Sequence, residues 1–317
     1  MGFASIVKTV LIVVFVVYLI GLLILALVRT KKFMAGENGP GLNDTLETRR
    51  YSDYHVHTTF CDGANTVEEM VLQAIDNGME ELGFSEHSHL ESQADWTLSF
   101  SDEEKYRMTV ETLKKQYKEF IKIRLGIEQD YWSSTDNLAY YDYVIGSVHS
   151  LNKDDIEWSS VDMDYANFDY AVNNYFDGDK MAAVERYFEL VGDLYNKTKC
   201  DVIGHFDLIT KLNERHEKET GEPYVDIDDP RYIAAEKKAL EKLVATPVIF
   251  EINTGAMARG YATIPYPNAR VLSYLSSHKT PVIFASDAHA KKDLCYAFDD
   301  MMNLVVKYDL NLVTKLP

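Results

Sequence analysis

Cysteine is scarce in this chain of 317 residues. Its three cysteines, Cys61, Cys200 and Cys295, are widely spaced, and none of them forms a CxxC pair. A small, odd number of cysteines argues against a disulfide framework and fits a reducing compartment.

Positive charge is also in short supply. Lysine and arginine number 32 against 50 aspartates and glutamates, which gives a net charge of −18, and no stretch forms a basic stripe. Because an acidic surface repels phosphate backbones, the composition excludes non-specific nucleic-acid binding. The chain is 46% hydrophobic and 26% charged, as expected of a largely globular protein.

One segment departs from globular composition. Residues 9–28 form an uncharged apolar run, and a helix of about 20 such residues can cross the hydrocarbon core of a membrane. We predict a membrane anchor over residues 1–32, because the run lacks the cleavage site of a signal peptide, which is the alternative. Arg29, Lys31 and Lys32 follow the span, so the rest of the chain should be cytoplasmic. Residues 33–50, rich in Gly, Pro and Asn, read as a linker.

The remaining residues, 51–317, alternate short apolar runs with segments of helical periodicity. Such alternation predicts an α/β domain with a parallel sheet. About seven β-α units favour a barrel, and a flat doubly wound sheet is the alternative. The strands are expected near Tyr54, at 81–87, 121–131, 141–150, 201–207, 247–255 and 280–289, and the helices at 66–78, 102–118, 180–196, 230–244, 268–277 and from 292.

Chemically capable side chains cluster at the carboxyl ends of these strands. Six of the nine histidines lie there, whereas His89, His216 and His278 read as ordinary surface residues. Any single strand-end histidine is more often a polar packing residue than a ligand. Since parallel strand ends converge on one face, we expect the group to meet in one basin. Its members are His55, His57, Asp62, His87, Glu128, His149, His205, Asp287 and His289.

Buried imidazoles and carboxylates need charge partners, and these motifs offer almost no lysine or arginine. Divalent cations would neutralise them, and imidazole with carboxylate oxygen suits Zn, Mn or Fe. Nine ligands are too many for one ion and suffice for two or three. The sequence therefore predicts a cluster of two or three divalent ions.

The motifs that carry these residues resemble those of the PHP (polymerase and histidinol phosphatase) superfamily, and most closely its histidinol-phosphatase branch. The resemblance covers about residues 52–300. It rests on the motifs DYHVHTTFCDG, GFSEHS, GIEQDYW, DYVIGSVHS, DVIGHFDLITK, EINTGAMARGYATIPYPN and FASDAHAKKDLCYAF.

The resemblance implies a distorted (β/α)7 barrel, TIM-like in outline, with a trinuclear metal site. In that site, Glu128 would bridge two of the ions. By analogy the first ion would be held by His55, His57, Glu128 and Asp287, the second by Glu128, His149 and His205, and the third by Asp62, His87 and His289.

The implied reaction is hydrolysis of a small phosphorylated substrate, L-histidinol phosphate, in histidine biosynthesis. Clustered divalent ions acidify bound water, so a metal-held hydroxide would attack phosphorus without a protein nucleophile. Arg259 is the predicted phosphate clamp, since guanidinium matches phosphate bidentately, and Lys211 is a weaker candidate. Cys61 reads as a packing or supporting residue rather than a nucleophile. The sequence leaves two roles open for Asp130: it orients a metal ligand, or it lies in a loop without a functional role.

Two other functions remain open from the sequence. One is a membrane-tethered phosphoesterase of the same superfamily that acts on phosphotyrosine or nucleotides. The other is an inactive metal-binding scaffold, which the complete set of ligand positions disfavours. The acidic, aromatic segment 156–177 is predicted to be a loop, equally suited to covering the site and to lying in solvent. The sequence carries no indication of the oligomeric state.

Overall fold

The computed structural model describes residues 51–90, 96–153 and 157–317. The predicted anchor over 1–32, with its span at 9–28, and the predicted linker over 33–50 lie outside these ranges. Within the described ranges, no helix combines the length and the apolar character needed to cross a membrane.

A curled parallel sheet forms the centre of the domain. Its eight strands are hydrogen-bonded in the order β1, β2, β3, β4, β7, β8, β9, β10, and every pair is parallel. The strand bounds are β1 Ser52–Asp53, β2 Glu81–His87, β3 Lys122–Asp130, β4 Tyr143–Ser147, β7 Val202–Ile203, β8 Ile249–Asn253, β9 Pro281–Ala285 and β10 Asn311–Leu312. Because spatial order follows chain order, the sheet lacks the reversal that defines the flat doubly wound alternative.

The two ends of the sheet approach each other at the carboxyl side of the strands. Val56 and Ala288 form an isolated parallel bridge. The His57 amide donates to the Ala288 carbonyl at 2.9 Å, and the Ala288 amide donates to the His55 carbonyl at 3.1 Å. The short strand β10, which the sequence analysis missed, pairs with the opposite end of β9, at Pro281 and Val282. The polypeptide after β1 therefore lies beside the polypeptide after β9.

Helices connect the parallel strands, as the alternating pattern predicted. The first of them begins with the predicted capping box, in which Thr66 and Glu69 satisfy each other's backbone amides. The described residues form α1 Val67–Asp76, α2 Phe100–Gln116, α3 Tyr165–Tyr175, α4 Lys180–Val191, α5 Leu194–Thr198, α6 Asn213–Thr220, α7 Pro230–Leu243, α8 Gly255–Ala258, α9 Ala269–Ser277 and α10 Phe298–Tyr308.

The segment 156–177 is not the loop that its composition suggested. An antiparallel hairpin of β5 Ser150–Lys153 and β6 Glu157–Ser160 comes first, and helix α3 follows. Phe168, Ala171 and Val172 are the buried residues of α3, at the i, i+3, i+4 spacing of a helix packed on a core. Asp169 and Tyr170, which lie between Phe168 and Ala171, obscured this pattern. Helix α6, which has no buried residue, was missed because it lacks any apolar periodicity.

Candidate active site

The first two site histidines share one face because they lie two residues apart in extended chain. Val56, between them, accepts a hydrogen bond from the Ser85 amide at 2.9 Å and is itself fully buried. Alternation then directs His55 and His57 to the opposite face, where their rings lie 5.1 Å apart. Both rings are buried.

Glu128, at the end of β3, lies at the centre of the predicted ligands. Its Oε2 atom is 2.7 Å from Nδ1 of His87, 3.3 Å from Nε2 of His55 and 3.6 Å from Nε2 of His57. The carboxylate is buried. One oxygen of Glu128 therefore faces three imidazoles.

The other oxygen of Glu128 faces a second pair of histidines. Oε1 lies 2.9 Å from Nε2 of His205, which follows β7, and 3.3 Å from Nε2 of His149, which follows β4. A carboxylate whose two oxygens face different ligand groups has the arrangement required to bridge two cations. The family resemblance implied this bridging position for Glu128.

Asp287, just after β9, approaches the first pair of histidines. Its Oδ1 atom is 3.4 Å from Nε2 of His57 and 3.8 Å from Nε2 of His55. The residue has a φ of 50°, a left-handed backbone conformation that is uncommon for residues other than glycine. Gly255 makes room for it, because a Cβ atom there would lie 2.7 Å from Oδ2 of Asp287.

A further group of ligands lies on the open side of the cluster. The ring of His57 is stacked between those of His87, at 4.2 Å, and His289, at 4.3 Å. Asp62 joins them, with Oδ2 3.3 Å from Nε2 of His289 and Oδ1 3.7 Å from Nε2 of His87. The side chain of Asp62 is 33% exposed, so this part of the cluster is the one that solvent reaches.

All nine predicted ligands fall into groups of three or four side chains whose donor atoms lie within 4.8 Å of one another. These groups are His57, Asp62, His87 and His289; His55, His57 and Asp287; His55, Glu128 and His205; and His87, Glu128 and His149.

The donor atoms suit a divalent cation. Nε2 of His55, Nε2 of His57 and Oε2 of Glu128 are buried, and among the described residues they have no hydrogen-bond partner of good geometry. Unsatisfied buried polar atoms are costly, and here they converge on common points. Imidazole nitrogen and carboxylate oxygen are ligands for Zn, Mn and Fe. The residues present therefore fit the predicted metal cluster.

Electrostatics leaves His57 and Glu128 in states that can bind a cation. Burial lowers the pKa of His57 to about 3, with help from His87 and His289. Burial acts to raise the pKa of Glu128, but His55 and the neighbouring imidazoles outweigh it and hold the value well below its usual range. A neutral His57 and an ionised Glu128 are the forms that coordinate metal.

Two acidic residues support the predicted ligands from behind, and a third supports Cys61. Oε1 of Glu251, on β8, lies 2.7 Å from Nδ1 of His55. Glu251 was not among the residues predicted from the sequence. An acid inside the buried run VIFEIN was the signal that could have identified it. Asp130, whose role the sequence left open, contacts Nδ1 of His149 at 3.1 Å. Glu86 accepts a hydrogen bond from Sγ of Cys61 at 2.6 Å.

Cys61 lies against the cluster without the properties of a nucleophile. Its Sγ atom is 3.6 Å from Nδ1 of His57. Burial raises the pKa of the thiol well above its usual value, and the neighbouring Glu86 and Asp62 carboxylates add to that effect. Because the thiolate is the reactive form, these surroundings favour the supporting role predicted from the sequence.

A cavity of about 300 Å³ opens onto the cluster. Arg259 lines it and donates from Nη1 to the Asp287 carbonyl at 2.7 Å and from Nη2 to Oδ2 of Asp287 at 3.0 Å. Lys211 also lines it and forms an ion pair with Asp162 at 2.7 Å. Arg259 and Lys211, the two side chains predicted to contact phosphate, therefore both face the cavity. Each of them already forms an ion pair with a carboxylate.

Aromatic and hairpin residues complete the wall of this cavity. The indole of Trp96 lies edge-on to His87, at 4.7 Å, and to His149, at 5.5 Å. Asp162 and Met163, from the segment after β6, also line the cavity. Part of segment 156–177 thus borders the site.

A larger cavity of about 630 Å³ lies nearby and is lined by other side chains, among them His89, Phe100 and Trp132. None of the nine predicted ligands lines it. We place the chemistry in the smaller cavity, because the titratable cluster opens there and size alone does not identify a site.

The sequence of the domain matches a family model. The model described as the PHP domain covers residues 53–255, from the first site motif to the end of β8. The chain belongs to the PHP domain family. This match confirms the resemblance that the strand-end motifs indicated, and the curled parallel sheet is consistent with the TIM-like fold of PHP domains.

Relatives of this PHP domain include a curated histidinol-phosphatase from Bacillus subtilis. It is 25% identical over 272 residues, which cover 78% of this chain and 96% of the relative. By these relationships the protein is a histidinol-phosphatase-like hydrolase.

Solved structures show the same fold. A crystal structure from Listeria monocytogenes has a TM-score of 0.66 and 22% identity, and the match covers 78% of this chain and 99% of that one. The histidinol phosphate phosphatase of Lactococcus lactis, solved with zinc, L-histidinol and phosphate, has a TM-score of 0.60 and 20% identity, covering 83% and 95%.

Proposed function

We propose that this PHP domain hydrolyses L-histidinol phosphate to L-histidinol and phosphate in a metal-dependent reaction. The observation that carries the proposal is the position of Glu128, whose two oxygens face separate histidine groups at the base of a cavity lined by Arg259. The curated Bacillus relative and the Lactococcus structure with L-histidinol and phosphate support this substrate.

We assign the metal ligands as the family resemblance implied, with two or three ions. Zinc in the Lactococcus structure supports that metal, and the donor set suits Mn and Fe equally. When bound, such ions acidify water and neutralise phosphoryl oxygens. The first ion is assigned to His55, His57, Glu128 and Asp287, the second to Glu128, His149 and His205, and the third to Asp62, His87 and His289.

The chain's own residues would bind and orient the substrate. Arg259 is positioned by Asp287 so that its guanidinium lines the cavity, where it would contact a phosphate group. Burial acts to lower the pKa of Arg259, but Asp287 outweighs burial and raises it, so the cation persists. Trp96 covers one side of the imidazole cluster and would restrict the access of bulk water.

The bridge between Val56 and Ala288 supports a finer description of the fold. We infer that β1, β2, β3, β4, β7, β8 and β9 close as a distorted (β/α)7 barrel with the ligands at its carboxyl-terminal mouth.

We further propose that residues 1–32 anchor the chain to a membrane, with residues 33–50 as linker and residues 51–317 as the cytoplasmic PHP domain. The uncharged run at 9–28 supports the anchor, and membrane fractionation of the full chain tests it.

Steady-state kinetics on the full-length protein test the function. With Mn or Zn present, kcat/KM for L-histidinol phosphate should exceed that for phosphotyrosine and nucleoside monophosphates by more than about tenfold, a difference of about 1.4 kcal/mol in transition-state binding. His57→Ala should abolish turnover, whereas His278→Ala, a change at an exposed histidine outside the site, should not. A higher value for another ester would reassign the substrate, and no turnover of any ester would favour the scaffold.

A further inference from the structure

A second cavity, of about 290 Å³, lies beside the active site and is lined by different residues. It is formed by the segment after β7, helix α6, the segment 223–228 and the segment 262–268. Neighbouring residues of the same two chain segments line the two cavities: Leu208 and Tyr261 face the active site, and Asp207 and Ala262 face the second cavity. The second cavity plays no part in the proposed hydrolysis.

The lining of this second cavity is acidic. Five carboxylate residues line it, and its wall contains no lysine, arginine or histidine. The acids are Asp207, Glu214, Glu217, Asp226 and Asp228.

The basic residues around the cavity neutralise it only partly. Lys218 lies 3.7 Å from Oε2 of Glu214, and Arg270 lies 3.7 Å from Oδ1 of Asp228. Within the described part of the chain, Glu217 and Asp226 have no ion pair. The cavity thus retains a negative potential that favours a cation.

A buried oxygen provides an independent indication of a ligand. Asp207 is 1% exposed, and its Oδ2 atom accepts hydrogen bonds from the backbone amide and the side-chain amide of Asn268, at 2.9 and 3.0 Å. Its Oδ1 atom has no hydrogen-bond partner among the described residues, and neither has the buried hydroxyl of Tyr266. Both residues line the cavity. A buried carboxylate oxygen without a donor is costly, so a bound molecule that donates hydrogen bonds would be stabilised here.

The geometry favours an organic cation over a metal ion. Among the described residues, every group of three or more potential metal ligands with donor atoms within 4.8 Å lies in the active-site cluster. The carboxylates of the second cavity are therefore too far apart for close coordination of one ion. Ile227, Ile264 and Pro265 give the cavity an apolar side, which suits a ligand with a hydrocarbon body.

We propose that this cavity binds a small organic ammonium compound. Its N–H groups would donate to Oδ1 of Asp207, and its hydrocarbon part would pack on Ile227 and Ile264. The rim acids Glu217 and Asp226 would add long-range attraction. Because the segment that carries Asp207 also carries His205 and Lys211, the occupant would contact a chain segment shared with the active site.

Binding of phenethylamine to the metal-loaded full-length protein tests the proposal, with phenethyl alcohol as the uncharged isostere. Isothermal titration calorimetry should give an affinity for the amine at least about tenfold tighter than for the alcohol. Asp207→Asn removes the charge at nearly constant shape and should weaken amine binding by about tenfold or more. Glu119→Gln, at an exposed acid remote in sequence from the cavity, should leave it unchanged.

A second variant keeps the test decisive if Asp207→Asn fails to fold. Glu217→Gln combined with Asp226→Asn changes two exposed rim acids. This double substitution should weaken the binding of the amine without affecting the binding of the alcohol. Equal affinities for amine and alcohol would overturn the proposal. So would amine binding that survives both sets of changes, since the amine would then occupy the active-site cavity. Binding of Mn alone that these substitutions abolish would identify a metal site instead and would also overturn it.

Discussion

Nδ1 of His55 lies 2.7 Å from Oε1 of Glu251, and both side chains are almost completely buried. The other oxygen of Glu251 accepts hydrogen bonds from the His205 amide at 3.0 Å and from Nδ2 of Asn253 at 2.9 Å. One carboxylate thus holds the ring of one predicted ligand and the backbone of another. The contact fixes Nδ1 of His55 as the donor and leaves Nε2 free to face Glu128.

Replacing Glu251 with glutamine should weaken metal binding while preserving the shape of the residue. Loss of such a supporting carboxylate typically costs about 10–100-fold in metal affinity, because ligand basicity and orientation are both lost. Calorimetric titration of the chelator-treated protein with Zn or Mn measures the change. Glu236→Gln is the matched control, because Glu236 is equally buried but is paired with Arg270. Equal losses in the two variants would mean that Glu251 acts only on folding.

Metal removal should lower the thermal stability of the protein. Without a cation, Oε2 of Glu128 and the Nε2 atoms of His55 and His57 lose the partner that their positions require. A ligand present at about 100 times its Kd stabilises the folded state by about 2.7 kcal/mol, which corresponds to several degrees in Tm for a domain of this size. Differential scanning calorimetry before and after chelation, and after reloading with Mn or Zn, measures the shift. The shift in Tm on chelation should be much smaller in His57→Ala than in the wild type. An unchanged Tm of the wild type on chelation would contradict the assignment of the metal ligands.

Arg259→Lys should show whether phosphate binding requires the guanidinium group or only a positive charge. Lysine keeps the positive charge but cannot make the paired contacts of a guanidinium. We expect KM for L-histidinol phosphate and the inhibition constant of inorganic phosphate to rise by about tenfold or more. Arg215→Lys, at an exposed arginine paired with Glu219, is the control. If Tm falls while both constants stay the same, Arg259 stabilises Asp287 and does not bind the substrate.

Much of the fold could be predicted because parallel strands buried on both faces have distinctive sequences. β2 was predicted at its observed bounds, Glu81–His87, since all seven of its residues are buried. Helix α1 was found from its apolar spacing and from the capping box of Thr66 with Glu69. Helix α3 was missed because tyrosines, asparagines and Asp169 surround its three buried residues, and β10 was missed because two residues carry no pattern.

The predicted ligands could be found because each lies at or after the carboxyl end of a strand, and strand ends converge in a parallel sheet. The supporting contacts could not be deduced in the same way. Glu251 and His55 are separated by 196 positions, and Asp207 is distinguished by an unpaired oxygen that only packing reveals. Such pairings depend on three-dimensional proximity rather than on local periodicity. The sequence therefore indicated which residues meet but not which residues orient them.

Gly126→Ala should destabilise the domain, because the ring of Tyr143 occupies the space that a Cβ atom there would need. The ring has little freedom to move, since its hydroxyl donates to the carbonyls of Tyr54 and Phe84 at 2.5 and 2.9 Å. Overpacking of this kind typically costs about 1–3 kcal/mol. Urea denaturation measures the loss. Combining Gly126→Ala with Tyr143→Leu should recover part of it, and strictly additive losses would contradict the steric explanation.

Glu81, at the start of β2, should make folding stability depend on pH in the acid range. Burial acts to raise its pKa, but hydrogen bonds from Lys122 and Tyr54 outweigh burial and lower the pKa below the usual glutamate value. Because the folded state binds the proton less tightly, the carboxylate contributes stability that is present above that value and lost as pH falls through the folded-state pKa.

Glu81→Gln should therefore lower the free energy of unfolding by about 1 kcal/mol at pH 7, a figure kept small because Lys122 is half exposed. The difference between wild type and variant should shrink towards zero as the pH falls below the usual glutamate value. Urea titrations at neutral pH and at several acid values measure it, and metal loss at low pH affects both proteins alike. Glu80→Gln, at the neighbouring exposed acid that pairs with Lys315, should show a smaller dependence. A difference for Glu81→Gln that is constant with pH would mean that shape, rather than charge, accounts for the contribution of Glu81.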